Sequence, residues 1–204
     1  FTSITSVETL TQGTTNAANT ITLGSLADAS GLATITGNGT GVDTVTVGAG
    51  FDNALTINVA TGNDQIDASA SAAAITIAAA ASSITTNDTL KGGTGSSDTI
   101  TLTAGSDTAK LGASVTGFET VTVVAATTND IKITTSDENA TTSQALTVDA
   151  SALTNTAAAL TFTSSENSTA TINVTGGAGA DSLTAGTEKS NYSGGGGIDI
   201  FSFS

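Results

Sequence analysis

Asp181 and Asp199 are the residues whose type and spacing suggest chemistry most directly. Each is the sixth residue of a glycine-rich nonapeptide, Gly176-Gly177-Ala178-Gly179-Ala180-Asp181-Ser182-Leu183-Thr184 and Gly194-Gly195-Gly196-Gly197-Ile198-Asp199-Ile200-Phe201-Ser202. Both fit the pattern G-G-x-G-x-D-x-U-x, with U apolar. Glycines let a turn take positive φ and bring backbone carbonyls together, which residues with a Cβ do only at a cost. Adding a carboxylate to such carbonyls gives an all-oxygen donor set, suited to a hard cation such as Ca2+ that collects about six to eight oxygens.

The two aspartates stand two nonapeptides apart. If a nonapeptide is a turn of six positions followed by a strand of three, two of them complete a coil, so Asp181 and Asp199 stack and share one calcium. Leu183 and Phe201, at the eighth positions, are then expected to point inward. Between the two copies, residues 185–193 have lost the metal turn: Ser190 stands where the aspartate would be, and Tyr192 keeps the apolar position. No ion is expected on that opposite edge.

Weaker copies extend the pattern. Gly92, Gly93 and Gly95 precede Asp98 in a turn with one inserted residue. Asp43 follows Gly39 and Gly41, Asp52 follows Gly48 and Gly50, and Asp64 follows Gly62. All four aspartates are candidate calcium ligands, against the ordinary use of Asp as a turn former. Asp43 and Asp52, a single nonapeptide apart, should lie on opposite edges of a coil and not share an ion. Glu8 and Glu119 read as exposed strand glutamates, with ligation the lesser reading.

These residues must be held by strands. Short runs of Thr, Val, Ile and Leu, such as Thr20-Ile21-Thr22-Leu23 and Thr99-Ile100-Thr101-Leu102, recur between glycine and aspartate turns. The Ala-rich stretch 68–83 reads as small side chains filling narrow coils, although propensity alone would favour a helix there. Residues 26–32 read as a turn or a single helical turn, and 129–144, the most polar stretch, as an exposed loop or unit boundary. Val115 to Val123 echoes the opening strand and aligns Glu119 with Glu8, which marks a long internal repeat. The expected fold is all-β, a right-handed parallel β-solenoid (β-helix or β-roll) with calcium-binding turns. It is divided into units 1–111 and 112–204, the second truncated, or runs as one continuous solenoid.

Composition removes several functions. The chain has 18 acidic residues against 4 basic ones, a net charge of −14, so nucleic acid and anionic membranes are poor partners. With no Cys and no His, thiolate and imidazole metal sites are excluded, as are Ser-His and Cys-His catalysis. One Tyr and no Trp leave little for stacking sugars. We expect no enzyme activity. No apolar run approaches the roughly 20 residues of a membrane span. Phe1 is not an initiator Met and no signal peptide is evident, so the chain reads as a fragment or processed product.

The G-G-x-G-x-D turns, the apolar-Glu-Thr-apolar-Thr strands around Glu8 and Glu119, and the Asp-Ala-Ser turns at 67–69 and 149–151 together resemble bacterial surface-layer proteins of the repeats-in-toxin-related, type I secreted group. The resemblance implies a structural role outside the cell: folding on several calcium ions and self-assembly with copies of itself into a two-dimensional lattice, with cell-surface polysaccharide as a further partner. Against that stands a binding module, an adhesin or the repeat domain of a larger secreted protein that takes up glycan or ice. Thr-x-Thr pairs such as Thr34/Thr36 and Thr120/Thr122 are frequent, but their sequence intervals are irregular, so no continuous flat threonine array is expected.

Overall fold

A computed structural model describes residues 6–12, 18–37, 39–124, 129–167 and 169–203. The chain is an all-β solenoid in which every pairing between strands is parallel. One nine-stranded sheet runs through it: β1 (Thr9–Thr11), β3 (Thr34–Thr36), β5 (Leu55–Asn58), β7 (Ile75–Ala80), β9 (Thr99–Thr103), β12 (Thr120–Val124), β14 (Leu146–Asp149), β16 (Thr171–Thr175) and β18 (Lys189–Ser193). Two five-stranded sheets share the other side. The first holds β2 (Asn19–Leu23), β4 (Asp43–Val47), β6 (Gln65–Asp67), β8 (Thr89–Lys91) and β11 (Val115–Thr116). The second holds β10 (Asp107–Lys110), β13 (Ile131–Thr134), β15 (Leu160–Thr163), β17 (Ser182–Ala185) and β19 (Ile200–Phe203). The handover between them falls in the coil from β9 to β12, which carries both β10 and β11. The expected boundary at 111/112 lies in that coil, and the nine-stranded sheet crosses it unbroken.

The alternation of side chains along a strand builds the core. In β9, Ile100 and Leu102 are buried while Thr99 and Thr101 are half-exposed. Register stacks the inward positions into one column: Ile35, Ile57, Ile77, Ile100, Val121, Val148, Val174 and Tyr192. Most strands of this sheet thus contribute one or two aliphatic residues to a narrow interior, which suits a chain with only 3% aromatics. The Ala-rich stretch forms β7, whose Ile75 and Ile77 are buried, and then a 3-10 turn at Ala81–Ser83. Residues 25–29 form the short helix α1 (Ser25–Ala29).

Several expectations are corrected. A coil equals two nonapeptides only at the end, where Thr171 pairs with Lys189 and Ser182 with Ile200. Elsewhere its length varies: Leu55 pairs with Ile75, whereas Ile131 reaches its partner only at Leu160, after a much longer coil. The coils differ because their turns differ in length while the strands stay short. The polar stretch 129–144 is no simple loop, since β13 lies inside it and buries Ile131 and Ile133. Of residues 3–11, expected from the sequence as strand, 3–5 lie outside the described residues and β1 begins at Thr9. Phe201 pairs with the buried Leu183 yet is 42% exposed, because no described coil covers β19.

Candidate functional site

The glycine turns and the aspartates that close them form the corners from which strands depart. Asp181 directly precedes β17 and is 1% exposed. Its Oδ2 accepts the Gly177 N–H of its own turn at 2.7 Å, and its Oδ1 accepts the Leu160 N–H of the coil before at 2.6 Å. One carboxylate therefore closes a turn and ties two coils. Asp98, fully buried before β9, is built the same way: Oδ2 takes Gly93 N–H at 2.8 Å and Oδ1 takes Ile75 N–H at 2.8 Å. The inserted residue in its turn does not disturb this arrangement. Asp199 stacks on Asp181, accepting its N–H at 2.9 Å.

Elsewhere the same device forms columns. On the first five-stranded sheet, Asp43 N–H donates to Asp64 Oδ1 at 3.0 Å and Asp64 N–H to Asp88 Oδ1 at 2.8 Å. Asn19 Nδ2 contacts Asp43 at the start of this column, 3.4 Å away. On the nine-stranded sheet, Asp98 N–H donates to Glu119 Oε2 at 2.7 Å, and Gln144 Nε2 donates to Glu119 Oε1. Glu119 is thus no free strand glutamate but a member of the column. Asp52 stands apart: it is exposed, and its N–H donates to Asp28 Oδ1 at 2.8 Å. Asp67 and Asp149 each cap their Asp-Ala-Ser turn through the Ser69 and Ser151 N–H groups.

Glycine context does not reveal Asp88, Glu119 or Asp130, whose Oδ1 accepts the Ala159 N–H at 2.9 Å. Their signal is the position immediately before a strand, as in Asp88-Thr89-Leu90, Asp98-Thr99-Ile100, Glu119-Thr120-Val121 and Asp181-Ser182-Leu183. At such a corner the amide at the start of the neighbouring coil's strand, or just before it, needs an acceptor, and an acidic side chain supplies it.

Burial has electrostatic consequences. Desolvation pushes Asp64 up to about 6, the charges of Asp43 and Asp88 push the same way, and the hydrogen bond from Asp43 opposes them. Burial likewise raises Asp181, opposed by the Leu160 and Gly177 amides and reinforced by the Asp199 charge. On the surface, the Ser69 hydrogen bonds and Lys91, 3.0 Å away, hold Asp67 below its usual range.

The terminal turns also fit tightly. Gly195 and Gly197 have φ of +90° and +92°, and a Cβ on them would come within 2.2 Å of Gly177 O and Gly179 O respectively. Gly176–Gly179 and Gly194–Gly197 are therefore stacked backbone on backbone, beside two carboxylates. A carboxylate has about four lone-pair positions, and the Leu160 and Gly177 amides occupy two of those on Asp181, while Gly177 O accepts the Gly196 N–H at 2.8 Å. Gly92 is packed equally closely, against Gly117 O. Asp43, Asp64 and Asp98 are instead engaged with amides and acidic neighbours of their columns. Among the described residues no three acidic side chains gather as a metal cluster.

The outward positions of the nine-stranded sheet also line up, contrary to expectation. Thr9, Thr34, Thr56, Thr76, Thr99, Thr120 and Thr147 occupy one column, continued by Asn173 and Asn191. The irregular intervals in sequence are absorbed by the turns, so the strands present the threonines in register. A second column two positions on is mixed, with Thr101, Thr122 and Thr175 beside Asn58, Ala78 and Asp149. A groove of ≈520 Å³ lies beside this sheet, between Gly93–Ser96 and Ser143–Ala145, with Glu119 in its wall.

Comparison with protein-family models, with curated proteins and with solved structures gave no match.

Proposed function

We propose that the chain is a structural segment of an extracellular surface lattice, a non-catalytic solenoid whose last coils are clipped by calcium. The observation that carries this reading is the stack of two glycine turns with Asp181 over Asp199, beside carbonyls that no Cβ could approach. Gly177, Gly179, Asp181 and Asp199 are the residues that would hold the ion. Bound there, calcium supplies positive charge where burial and the Asp199 charge now hold Asp181 above its usual range. The net charge of −14 gives the same cation a wider role in lowering self-repulsion, within a coil and between copies.

The test is calcium addition to chelated protein. Millimolar calcium should raise thermal stability by mass action, and electron microscopy should show calcium-dependent sheets. Unchanged stability with and without chelator would overturn the clip, and a persistent monomer in calcium would overturn the lattice.

The seven-threonine column favours a second reading, a module whose flat sheet orders water or binds ice. Parallel strands space the column at about 4.8 Å, so hydroxyls and methyls repeat along it, while the neighbouring column two positions on keeps only some of its threonines. Ice-recrystallisation inhibition by a protein that forms no sheets would select this reading, and its absence would remove it.

A further inference from the structure

At the corner where the turns after β15 and β17 stack, the interior holds oxygen atoms that the protein does not satisfy. Glu188 is 8% exposed. Its Oε1 accepts Tyr192 OH at 2.8 Å and Ser190 Oγ at 3.0 Å, while its Oε2 is buried with no hydrogen-bond partner. One coil earlier stands Glu166, fully buried, whose carbonyl accepts Thr187 N–H at 3.0 Å. Gly186 lies between them: a Cβ there would be 2.7 Å from Glu188 Oε2 and 2.3 Å from Glu166 O. The orphaned carboxylate oxygen and this carbonyl therefore lie no more than about 5 Å apart, with Gly186 packed so closely against both that a side chain there would clash. Further along the same corner, Thr135 Oγ1 and Ser136 Oγ are also buried without partners.

Beside Glu188 Oε2 and the Glu166 carbonyl stands the Glu166 N–H, which is donated to Ser164 Oγ at 3.2 Å, and no lysine is buried with them. The chain's four basic residues are Lys91, Lys110, Lys132 and Lys189; none is buried, and Lys189, next to Glu188, is exposed. A buried carboxylate without a counter-charge is costly. Tyr192 packs its ring edge-on against Phe162 at 5.7 Å, and burial and the Glu188 carboxylate push its phenol well above the usual range. The phenol therefore stays a donor and holds Glu188 in place.

We propose that this corner binds a divalent cation of the calcium class, between Glu188 Oε2 and the Glu166 carbonyl. Calcium is favoured over magnesium because it accepts irregular sets of carboxylate, carbonyl and hydroxyl oxygens without near-octahedral geometry. The site lies in the nonapeptide 185–193, which lacks the aspartate of the metal turn, and does not depend on the clip at Asp181 and Asp199.

Tyr192 provides the assay. It is the chain's single tyrosine, there is no tryptophan, and its hydroxyl touches the proposed ligand. Terbium added to the chelated full chain should give tyrosine-sensitised emission that calcium displaces. Glu188→Gln, which keeps an acceptor for Tyr192 and Ser190, should lower that emission at least about tenfold and reduce the calcium stoichiometry by about one. Asp181→Asn should leave the sensitised emission in place, so failure of the terminal clip and failure of this site are separable. Sensitised emission and calcium stoichiometry unchanged in Glu188→Gln would overturn the proposal. Should that variant not fold by circular dichroism, the wild-type titration decides, and absence of sensitised emission refutes the site.

Discussion

Replacing Asp64 with Asn separates a column role from a calcium role. Asp64 is 2% exposed, accepts Asp43 N–H and donates its own N–H to Asp88. Asparagine keeps an oxygen for Asp43 and removes the buried charge. The carboxyl is raised from 3.8 to about 6, chiefly by desolvation. At about 1.4 kcal/mol per pH unit, ionised Asp64 costs the fold about 3 kcal/mol at neutral pH. The direction follows from linkage: the folded carboxyl holds its proton to higher pH than the unfolded one, so stability is greatest below about pH 4 and is lost as pH rises through about 6. In chelator, Asp64→Asn should therefore be more stable than wild type at pH 7, by up to about 3 kcal/mol, and the advantage should vanish near pH 4. For a chain of this size each kcal/mol moves the melting temperature by about 2–4 °C, well within reach of circular dichroism. A variant less stable than wild type at pH 7 in chelator, or a pH profile parallel to wild type, would refute the reasoning. A variant that is destabilised only in calcium would return Asp64 to the set of ion ligands.

Three further substitutions probe the corners and the surface. Asp98→Ala leaves the Ile75 and Gly93 amides without acceptors, at about 1–3 kcal/mol each, whereas Asp98→Asn should recover about half of the loss; equal effects in denaturant titrations would contradict the two-oxygen tie. Gly195→Ala meets both a φ of +90° and the Gly177 carbonyl, so hydrogen exchange in β19 should quicken at least about tenfold while β3 to β9 are unaffected; unchanged exchange in β19 would show that the turn is not closed as described. Lys91→Ala removes the half-exposed ion pair with Asp67 and should cost less than about 1 kcal/mol in thermal melts, with a larger loss pointing to a role beyond that pair.

The sequence makes the solenoid legible through two signals: strands that alternate, such as Thr99-Ile100-Thr101-Leu102, and glycines before aspartates that mark where the chain must turn. What it conceals is how one coil meets the next. The spacing of Asp181 and Asp199 is the local period of the last coil, whereas turns of unequal length set the others. For the same reason the threonine column is invisible in the sequence, since Thr56, Thr76 and Thr99 are unevenly spaced in the chain and aligned only by pairing. Their glycines identify Asp98 and Asp181, yet each places an oxygen on an amide of the preceding coil, far off in the chain. That partner follows from register, which a single strand pattern does not reveal. Glu188 escapes notice because its nonapeptide lacks the aspartate, and its buried oxygen shows only once Tyr192 and Gly186 are placed around it.

The carboxylate columns also give the solenoid a direction. Asp64 serves the amide of Asp43, Asp88 that of Asp64, Asp98 that of Ile75, and Asp199 that of Asp181, each reaching toward the preceding coil. Within these columns, losing a later coil takes the acceptor from an N–H of the one beneath it, whereas losing an earlier coil frees a carboxylate that water solvates readily; Asp28 and Asp130, which accept amides of the coil after their own, work the other way. Unravelling from the two ends is therefore unequal. Where the columns run, a breach that starts at the C-terminal side leaves the newly bared layer short of an acceptor, with neighbouring layers coupled one to the next.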